Sequence, residues 1–300
     1  MQTFTVAKGA GLARVARELE GADLVRSATA TEWLGRIQPE GARLYPGEYD
    51  LSPSWTSAEI LARLSSGEIK TYPVVIPEGL RATEIAARLE DAGLAEASAF
   101  MQVVANAEFA HSLGIEGDTL EGYLFPDTYR FARDLSAREL ARRLVERFFS
   151  VWSTLEVKAS SGGREMSLHE VVALASIVEK ETGAAEERPV IAAVFLNRLQ
   201  KEMRLETDPA VIYGIENFDG NIKKRHLTDR SNPYNTYRHK GLPPGPIASP
   251  GADALRAVLE PAESEYLYFV SRNDGTHQFS RSYREHVNAV NRYQRRRRSR

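Results

Sequence analysis

The sequence of 300 residues contains no cysteine. This absence excludes disulfide bonds, thiol nucleophiles and thiolate metal ligands, because each of them needs a cysteine sulfur. Basic and acidic residues nearly balance, at 39 against 41, and the formal net charge is −2 at pH 7. No electrostatic field of one sign therefore attracts polyanions to the whole molecule, and nucleic acid is not an expected partner.

Long apolar runs are also missing. No stretch of 18 apolar residues occurs, so the sequence shows no pattern of a membrane-spanning helix. The six histidines have no HExxH or other close ligand spacing, and we expect neither a metal site nor a cofactor. With 42% apolar and 27% charged residues, the composition is that of a globular protein with room for about two domains.

A weak internal repeat is present in the first hundred residues. Val6, Gly9, Val15, Leu19 and Leu24 recur at the same offsets as Ile76, Gly79, Ile85, Leu89 and Leu94. Each copy predicts a short strand, a glycine turn and an amphipathic helix. The segment TSAEILARLSSGE predicts a further helix that ends at Gly67, and Pro46-Gly47 predicts a turn into a strand. We expect a βααβ module in residues 1–70 and an α/β piece in 71–118.

Two glutamates interrupt an apolar helix pattern. The run from Val171 to Val178 is followed by Glu179 and Glu181, where the pattern predicts apolar residues. A carboxyl group in such a setting loses hydration, which raises its pKa and lets it act as a general acid at neutral pH. The alternative is that both residues end the helix and pair with a base such as Arg188. Two carboxylates two residues apart point to different sides of a helix, which argues against an acid and base pair flanking one bond.

The segment SNPYNTYRHKGLPPGPIASPG, residues 231–251, contains five prolines and shows neither helical nor strand periodicity. Long irregular segments in compact domains are usually functional. Its amide, hydroxyl and phenol groups suit the recognition of sugar hydroxyls and ring faces. The alternative is a rigid surface linker. Asp127 and Asp208 each stand beside a proline and are expected to start turns, and the stretch that contains TDPAVIYG is expected to be a loop.

Four segments in a fixed order carry a resemblance to a known family. They are LEGYLFPDTYRF, LASIVEKETG, FLNRL with MRLETDPAVIYG, and YNTYRHKGLPPGPIASPG. The series resembles the endolytic murein transglycosylases, the YceG-like proteins, over nearly the whole chain. The resemblance implies an α+β fold with a LysM-like, peptidoglycan-binding βααβ module at 1–70. A mixed α/β catalytic domain with a lysozyme-like catalytic helix would follow at 71–300, with 71–118 as a connecting piece and 119–300 as the catalytic core.

The resemblance also implies a reaction. A lytic transglycosylase of this kind cleaves the β-1,4 bond between N-acetylmuramic acid and N-acetylglucosamine inside glycan strands, leaves a 1,6-anhydro-muramyl end, and so terminates nascent strands. One carboxyl group is enough, because the C6 hydroxyl of the sugar replaces water as the nucleophile. Two alternatives remain open: a muramidase that uses water and needs a second carboxylate, and a non-catalytic scaffold that binds peptidoglycan.

The resemblance directs attention to particular residues. Lytic transglycosylases with a lysozyme-like core carry a Glu-Ser pair at the end of an apolar helix, four residues after an isoleucine. Ile177, Glu181 and Thr182 match that spacing, and Glu179 does not. Glu181 is the expected catalytic acid and base, with Glu179 as the second choice. Membership of the quoted motifs gives the candidates for substrate binding, which are Glu121, Tyr123, Asn197, Arg198, Asp208, Asn235, Thr236 and Tyr237.

Partners and location follow from the same resemblance. The expected substrate is the peptidoglycan glycan strand, and peptidoglycan synthases are expected as neighbouring proteins. The expected location is the outer face of the bacterial cytoplasmic membrane, in the periplasm or its extracytoplasmic equivalent. Relatives usually carry an N-terminal transmembrane helix. The sequence starts at the LysM-like strand, and attachment to a membrane is expected only through an anchor that the given residues do not contain.

Overall fold

A computed structural model describes residues 1–37, 43–155 and 166–295. Within these residues the chain divides into two compact units. The first comprises Met1–Val74, Leu89–Glu96 and Thr128–Ser136, and the second comprises Val75–Arg88, Ala97–Asp127 and Ala137–Arg300. Helices and small two-stranded sheets occur together, which confirms the α+β class. The domain boundaries predicted at residues 70 and 118 stay predictions.

The first unit begins with a strand, two helices and a strand. Its elements are β1 (Gln2–Val6), α1 (Leu12–Gly21), α2 (Ala28–Ile37), β2 (Gly47–Leu51) and α3 (Ser57–Ser66). Strands β1 and β2 are antiparallel, with Phe4 opposite Tyr49. Both of these side chains lie in a buried apolar cluster with residues of α1 and α3. Helix α3 ends at Gly67, whose φ of 71° is the left-handed conformation that glycine adopts without steric cost.

The repeat seen in the sequence is present in the structure. The second copy forms β3 (Tyr72–Ile76) and α4 (Ala82–Asp91), and β3 pairs with β4 (Asp127–Phe131). Gly9 and Gly79 turn the two copies with φ of 78° and 73°. Val15 and Ile85, which are equivalent in the repeat, are fully buried. That the first unit acts as a LysM-like module stays a prediction.

The second unit is mainly helical. After α4 it contains α5 (Ala97–Val104), α6 (Ala107–Ser112), α7 (Ala137–Trp152), α8 (Leu168–Glu181), α9 (Arg188–Gln200), α10 (Asp208–Tyr213), α11 (Lys224–Thr228), α12 (Ala252–Leu259), β5 (Tyr268–Ser271), β6 (His277–Ser280) and α13 (Tyr283–Val290). Short 3-10 and π segments occupy Ala185–Glu187 and Asn291–Arg295. In the part of the chain that the structure describes, no helix has the length and hydropathy needed to cross a membrane.

One local expectation was wrong. The segment after Thr207 was expected to be a loop, and it forms the short helix α10. Pro209 does not prevent this because it lies in the first helical turn, where a backbone N–H has no intrahelical partner. Further along the chain, β6 follows β5 and pairs with it, with His277 opposite Ser271.

The proline-rich segment 231–251 contains neither helix nor strand, as predicted. Its second half is nevertheless buried, because Ile247, Ala248 and Ser249 have almost no solvent exposure. The backbone N–H of Ile247 donates to Oγ of Ser176 in α8 at 3.0 Å. The alternative of a rigid surface linker therefore does not apply to this half of the segment, which packs against α8.

Candidate active site

Helix α8 delivers Glu181 to the site. Ser167 begins this helix with a capping box, in which its hydroxyl accepts from the N–H of Glu170 and its own N–H donates to the Glu170 carboxylate. The residues from Val171 to Val178 are all buried, and each large apolar side chain in this run contributes roughly 1.5–3 kcal/mol by leaving water. The helix ends at Glu181, and Thr182 continues in an extended conformation. A firmly buried helix thus holds Glu181 at its last position.

The carboxyl group of Glu181 is desolvated but not sealed off. The residue is half-buried, and Oγ1 of Thr207 donates a hydrogen bond to its Oε1 at 2.5 Å. Desolvation raises the pKa of Glu181 to about 7, and the nearby Asp208 acts in the same direction. The Thr207 hydrogen bond and the charges of His277 and Arg198 oppose this rise. Near neutral pH this group can therefore both donate and accept a proton.

Thr236 fixes Thr207. Oγ1 of Thr236 accepts a hydrogen bond from the backbone N–H of Thr207 at 3.0 Å and donates one to its carbonyl oxygen at 3.1 Å. Both threonines are buried, so neither bond competes with bulk water. The YNTY motif thereby acts on Glu181 through Thr207, a residue that the sequence analysis did not select.

Asp208 and Tyr237 lie next to the same carboxyl group. Oη of Tyr237 donates to Oδ1 of Asp208 at 2.8 Å. Burial raises the pKa of Tyr237, and the charges of Asp208 and Glu181 raise it further, so this phenol remains a hydrogen-bond donor at neutral pH. The structure thus brings together three of the predicted residues, Glu181, Asp208 and Tyr237.

Glu179 has a different environment. Its Oε1 accepts from Nη2 of Arg188 at 3.0 Å, and its Oε2 accepts from the backbone N–H of Gly251 at 3.0 Å. Only 6% of the Glu179 side chain is exposed. Gly251 is the residue before α12, so this carboxylate joins α8, α9 and the start of α12. Both of its oxygens already have partners, which favours Glu181 as the proton donor.

Asn197 and Arg198 hold the segment that leads into β5. The side-chain amide of Asn197 donates to the carbonyl oxygens of Ser264 and Tyr266 at 2.8 and 3.0 Å. Nε of Arg198 donates to the carbonyl oxygen of Leu267 at 2.6 Å. Because their donors are used on backbone carbonyls, these two residues occupy supporting positions, and their contact with substrate stays a prediction.

Asn235 supports the segment 231–251 internally. It is fully buried, its amide nitrogen donates to the carbonyl oxygens of His226 and Asp229, and its Oδ1 accepts from the N–H of Tyr237. These bonds hold Tyr237 in place beside Asp208. Asn235, like Thr236, therefore supports the site by holding another residue in position.

Glu121 and Tyr123 belong to a separate cluster. The Glu121 carboxylate accepts from the N–H of Ala82 at 3.0 Å and from Oη of Tyr213 at 3.2 Å, and burial raises its pKa to about 7. Tyr123 is fully buried, with its hydroxyl 3.0 Å from Nδ1 of His169. Neither residue shares a hydrogen-bonding partner with Glu181 among those the structure describes. Their predicted contact with substrate remains a prediction.

Glu187 and His277 form a buried pair that the sequence did not predict. Glu187 accepts from both the backbone N–H and Nδ1 of His277, and His277 acts on the charge of Glu181. The pair joins residues ninety positions apart, and no spacing rule connects them.

In residues 1–37, 43–155 and 166–295, no group of three or more His, Cys, Asp or Glu side chains could hold a metal ion.

Comparison with known proteins shows which family the chain resembles. The model of the YceG-like family matches residues 4–292. An endolytic murein transglycosylase of Bacillus subtilis is 30% identical over 97% of this chain and 84% of its own length. One from Streptococcus pneumoniae is 27% identical over 90% of this chain, which spans 54% of that relative.

A solved structure is similar as well. The crystal structure of a yceG-like protein from Listeria monocytogenes has a TM-score of 0.65 and 29% identity, and the similarity covers 96% of this chain and 98% of the other. The match to the family model extends over nearly every residue, from the first strand to the segment that follows α13. The chain therefore belongs to the YceG-like family.

Proposed function

We propose that this protein cleaves the β-1,4 bond between N-acetylmuramic acid and N-acetylglucosamine within peptidoglycan strands and leaves a 1,6-anhydro-muramyl end. The observation that carries the proposal is the state of Glu181. This single carboxyl group is desolvated at the end of a buried helix, has a pKa of about 7, and is oriented by Thr207. These are the properties that a group needs to give a proton and then take one back at neutral pH.

The family supports the enzymatic part of this proposal. Curated relatives from two organisms are both named endolytic murein transglycosylase, and the chain is accordingly a lytic transglycosylase. The choice of bond, the form of the product and the role of Glu181 are proposals that rest on the chemistry of the site.

The reaction needs two proton transfers. Oε1 of Glu181 accepts from Thr207, so the acidic proton is placed on Oε2. In the first step Oε2 protonates the glycosidic oxygen as the bond from C1 to that oxygen breaks. In the second step the resulting carboxylate takes the proton of the C6 hydroxyl as O6 forms a bond to C1. One C–O bond breaks and one forms, and Glu181 ends with its proton restored without any water consumed.

The position of Asp208 near Glu181 favours a second candidate function, a muramidase that uses water. A muramidase that uses water needs a second carboxylate to activate the water or to act as nucleophile. Asp208 lies close enough to Glu181 to raise its pKa. Its Oδ1 accepts a hydrogen bond from Oη of Tyr237, which fixes the orientation of the side chain. The hydrolytic alternative would make reducing ends instead of anhydro ends.

The test is a product assay on purified murein sacculi with mass spectrometry of the released fragments. Wild-type protein is expected to give anhydro-muramyl ends, and Glu181→Gln is expected to lose about 10²–10⁴-fold in rate, the usual contribution of a general acid. Glu186→Gln, at an exposed glutamate five positions along, is the matched control and should keep wild-type activity. Reducing ends would favour the muramidase, and full activity of Glu181→Gln would refute the site.

The biological setting is part of the same proposal. We assign the protein to the outer face of the cytoplasmic membrane, where it would trim nascent glycan strands beside peptidoglycan synthases, with residues 1–70 acting as a LysM-like glycan-binding module. The word murein in the names of its relatives supports a cell-wall substrate. Fractionation of cells that express the full-length gene product, followed by crosslinking to synthases, would test this location and these partners.

A further inference from the structure

Residues 219–240, which we call the basic segment, carry a local excess of positive charge. They contain six Lys and Arg residues against two acidic ones, which gives a local net charge of +4 in a chain whose total is −2. The basic segment includes α11 and the first part of the proline-rich segment, and each of the five residues of α11 is exposed or partly exposed. Core packing therefore does not account for these side chains, and a surface of one charge sign attracts ligands of the other.

Hydrogen bonds hold the two halves of the basic segment side by side. The amide nitrogen of Asn235 donates to the carbonyl oxygen of His226 at 3.0 Å. Nε of Arg238 donates to the carbonyl oxygen of Leu227 at 3.1 Å. Both acceptors lie in α11, so this helix is fixed against the chain around Asn235 and Arg238. The charged side chains of the two halves thus belong to one surface.

Two basic side chains of this surface are available to an external anion. Lys224 and Arg230 are exposed, and among the residues that the structure describes neither forms an ion pair, whereas Lys223 is paired with Asp219. The carbonyl oxygen of Arg230 lies 3.2 Å from Nε2 of His239, so the backbone of Arg230 makes this contact and its guanidinium group does not. Lysine and arginine groups in this state are suited to binding carboxylates.

The basic segment also reaches the proposed catalytic group through direct contacts. Oη of Tyr237 donates to Oδ1 of Asp208 at 2.8 Å. Thr236 bonds the backbone of Thr207, and Oγ1 of Thr207 donates to Oε1 of Glu181. All of these residues belong to the second unit. The basic surface therefore borders the place where the proposed scissile bond would lie.

We propose that the basic segment binds the carboxylates on the peptide stems of peptidoglycan, and that it makes the enzyme prefer strands whose stems are charged. The inference rests on the proposed function, because it takes the substrate to be a peptidoglycan strand bound beside Glu181. The sugars of such a strand are uncharged while their stems are attached, and its free carboxylates lie on the stems. Each stem is joined to an N-acetylmuramic acid, one of the two sugars at the proposed scissile bond, which brings its carboxylates to the rim of the site.

The test removes positive charge and leaves the hydrogen bonds of the segment in place. Lys224→Gln combined with Arg230→Gln replaces two exposed cations by neutral polar side chains. Arg143→Gln combined with Arg284→Gln is the matched control, at exposed positions of α7 and α13. Each double variant loses two positive charges, so an effect of total charge alone would be equal in both.

The substrates differ only in the charge of their stems. Soluble, uncrosslinked glycan chains with stems are compared with the same chains after carbodiimide amidation of the stem carboxylates. Wild-type protein should have the higher kcat/KM on the carboxylate chains, and 0.5 M salt should reduce this preference by screening. The Lys224→Gln, Arg230→Gln variant should lose about three- to tenfold in kcat/KM on the carboxylate chains, through KM rather than kcat. Its two substrates should become nearly equivalent, and the control variant should keep the wild-type preference.

A binding measurement separates this inference from the proposed function. Glu181→Gln protein, with and without the two charge substitutions, is titrated with fluorescently labelled chains of both kinds. Tighter binding of the carboxylate chains that disappears with the charge substitutions supports the inference, whether or not Glu181→Gln retains activity. Equal binding of both chains, or an equal loss in the control variant, overturns the inference and leaves the assignment of Glu181 untouched. Binding to phosphatidylglycerol vesicles that needs Lys224 and Arg230, without a preference between the chains, would overturn it in favour of an anionic membrane.

Discussion

Oγ1 of Thr207 donates a hydrogen bond to Oε1 of Glu181, and Thr236 holds Thr207 by two further bonds. The chain of contacts joins three motifs that are far apart in the sequence: the end of α8, the start of α10 and the proline-rich segment. Removal of any link should therefore change the proton affinity or the orientation of Glu181.

Thr207→Val keeps the shape of the side chain and removes the donor. The Glu181 carboxylate then loses a hydrogen bond to its charged form, which is worth about 1.5–3 kcal/mol, or about one to two pKa units. The pKa of Glu181 rises from about 7, so the alkaline limb of activity moves to higher pH while the rate at the optimum falls. Thr228→Val, at an exposed threonine of α11, is the control. An unchanged pH profile in Thr207→Val would contradict the proposed role of this hydrogen bond.

Thr236→Val removes both bonds to Thr207 and leaves a buried N–H and a buried carbonyl oxygen without their partner. Each unsatisfied buried group costs about 1–3 kcal/mol. We expect a lower free energy of unfolding in urea and a lower kcat in the molecules that stay folded. Thr236→Ser, which retains the hydroxyl, should restore most of both quantities; a serine variant as impaired as the valine variant would argue against the hydrogen bonds.

Arg188→Met breaks the ion pair with Glu179 and leaves a buried carboxylate. Breaking a buried pair from one side typically costs 3–5 kcal/mol, so we expect a clear loss of stability in urea unfolding. Exposed pairs contribute far less, and Arg256→Met, which breaks the exposed pair with Asp253, should be nearly neutral. Equal stability of these two variants would show that the Glu179 pair does not hold α8, α9 and α12 together.

Glu121→Gln tests the second buried carboxyl group. Burial raises the pKa of Glu121 from 4.5 to about 7, so the folded state binds this proton more tightly than the unfolded state does. The group has no effect on stability below pH 4.5, and it lowers stability progressively as pH rises from 4.5 to about 7.

The variant removes this titration and keeps an oxygen for the N–H of Ala82. At pH 8 it should be more stable than wild type by up to about 3 kcal/mol, and the difference should disappear near pH 4.5. Urea unfolding at both pH values measures this. A wild-type stability that does not fall relative to the variant between those values would contradict a raised pKa for Glu121.

Local features of the fold were predictable because they depend on neighbouring residues. The repeat, the helix that ends at Gly67 and the irregular segment 231–251 all follow from periodicity, glycine positions and prolines. Helix α10 was missed because Pro209 was interpreted as a sign of a loop. The proline is compatible with the first turn, and the distinction depends on packing that the local pattern does not contain.

The candidate site also has features that the sequence predicted and features that only the structure shows. The apolar run before Glu181 made a desolvated carboxyl group predictable, and the order of the four motifs identified the family. The sequence alone could not show that Glu179 accepts hydrogen bonds from Arg188 and Gly251, that Thr207 rather than Asn235 touches Glu181, or that Glu187 binds His277. The amino-acid order determines which side chains are available and which helix carries them. Which of them meet depends on distances between residues far apart in the chain, and only the packed helices set those distances.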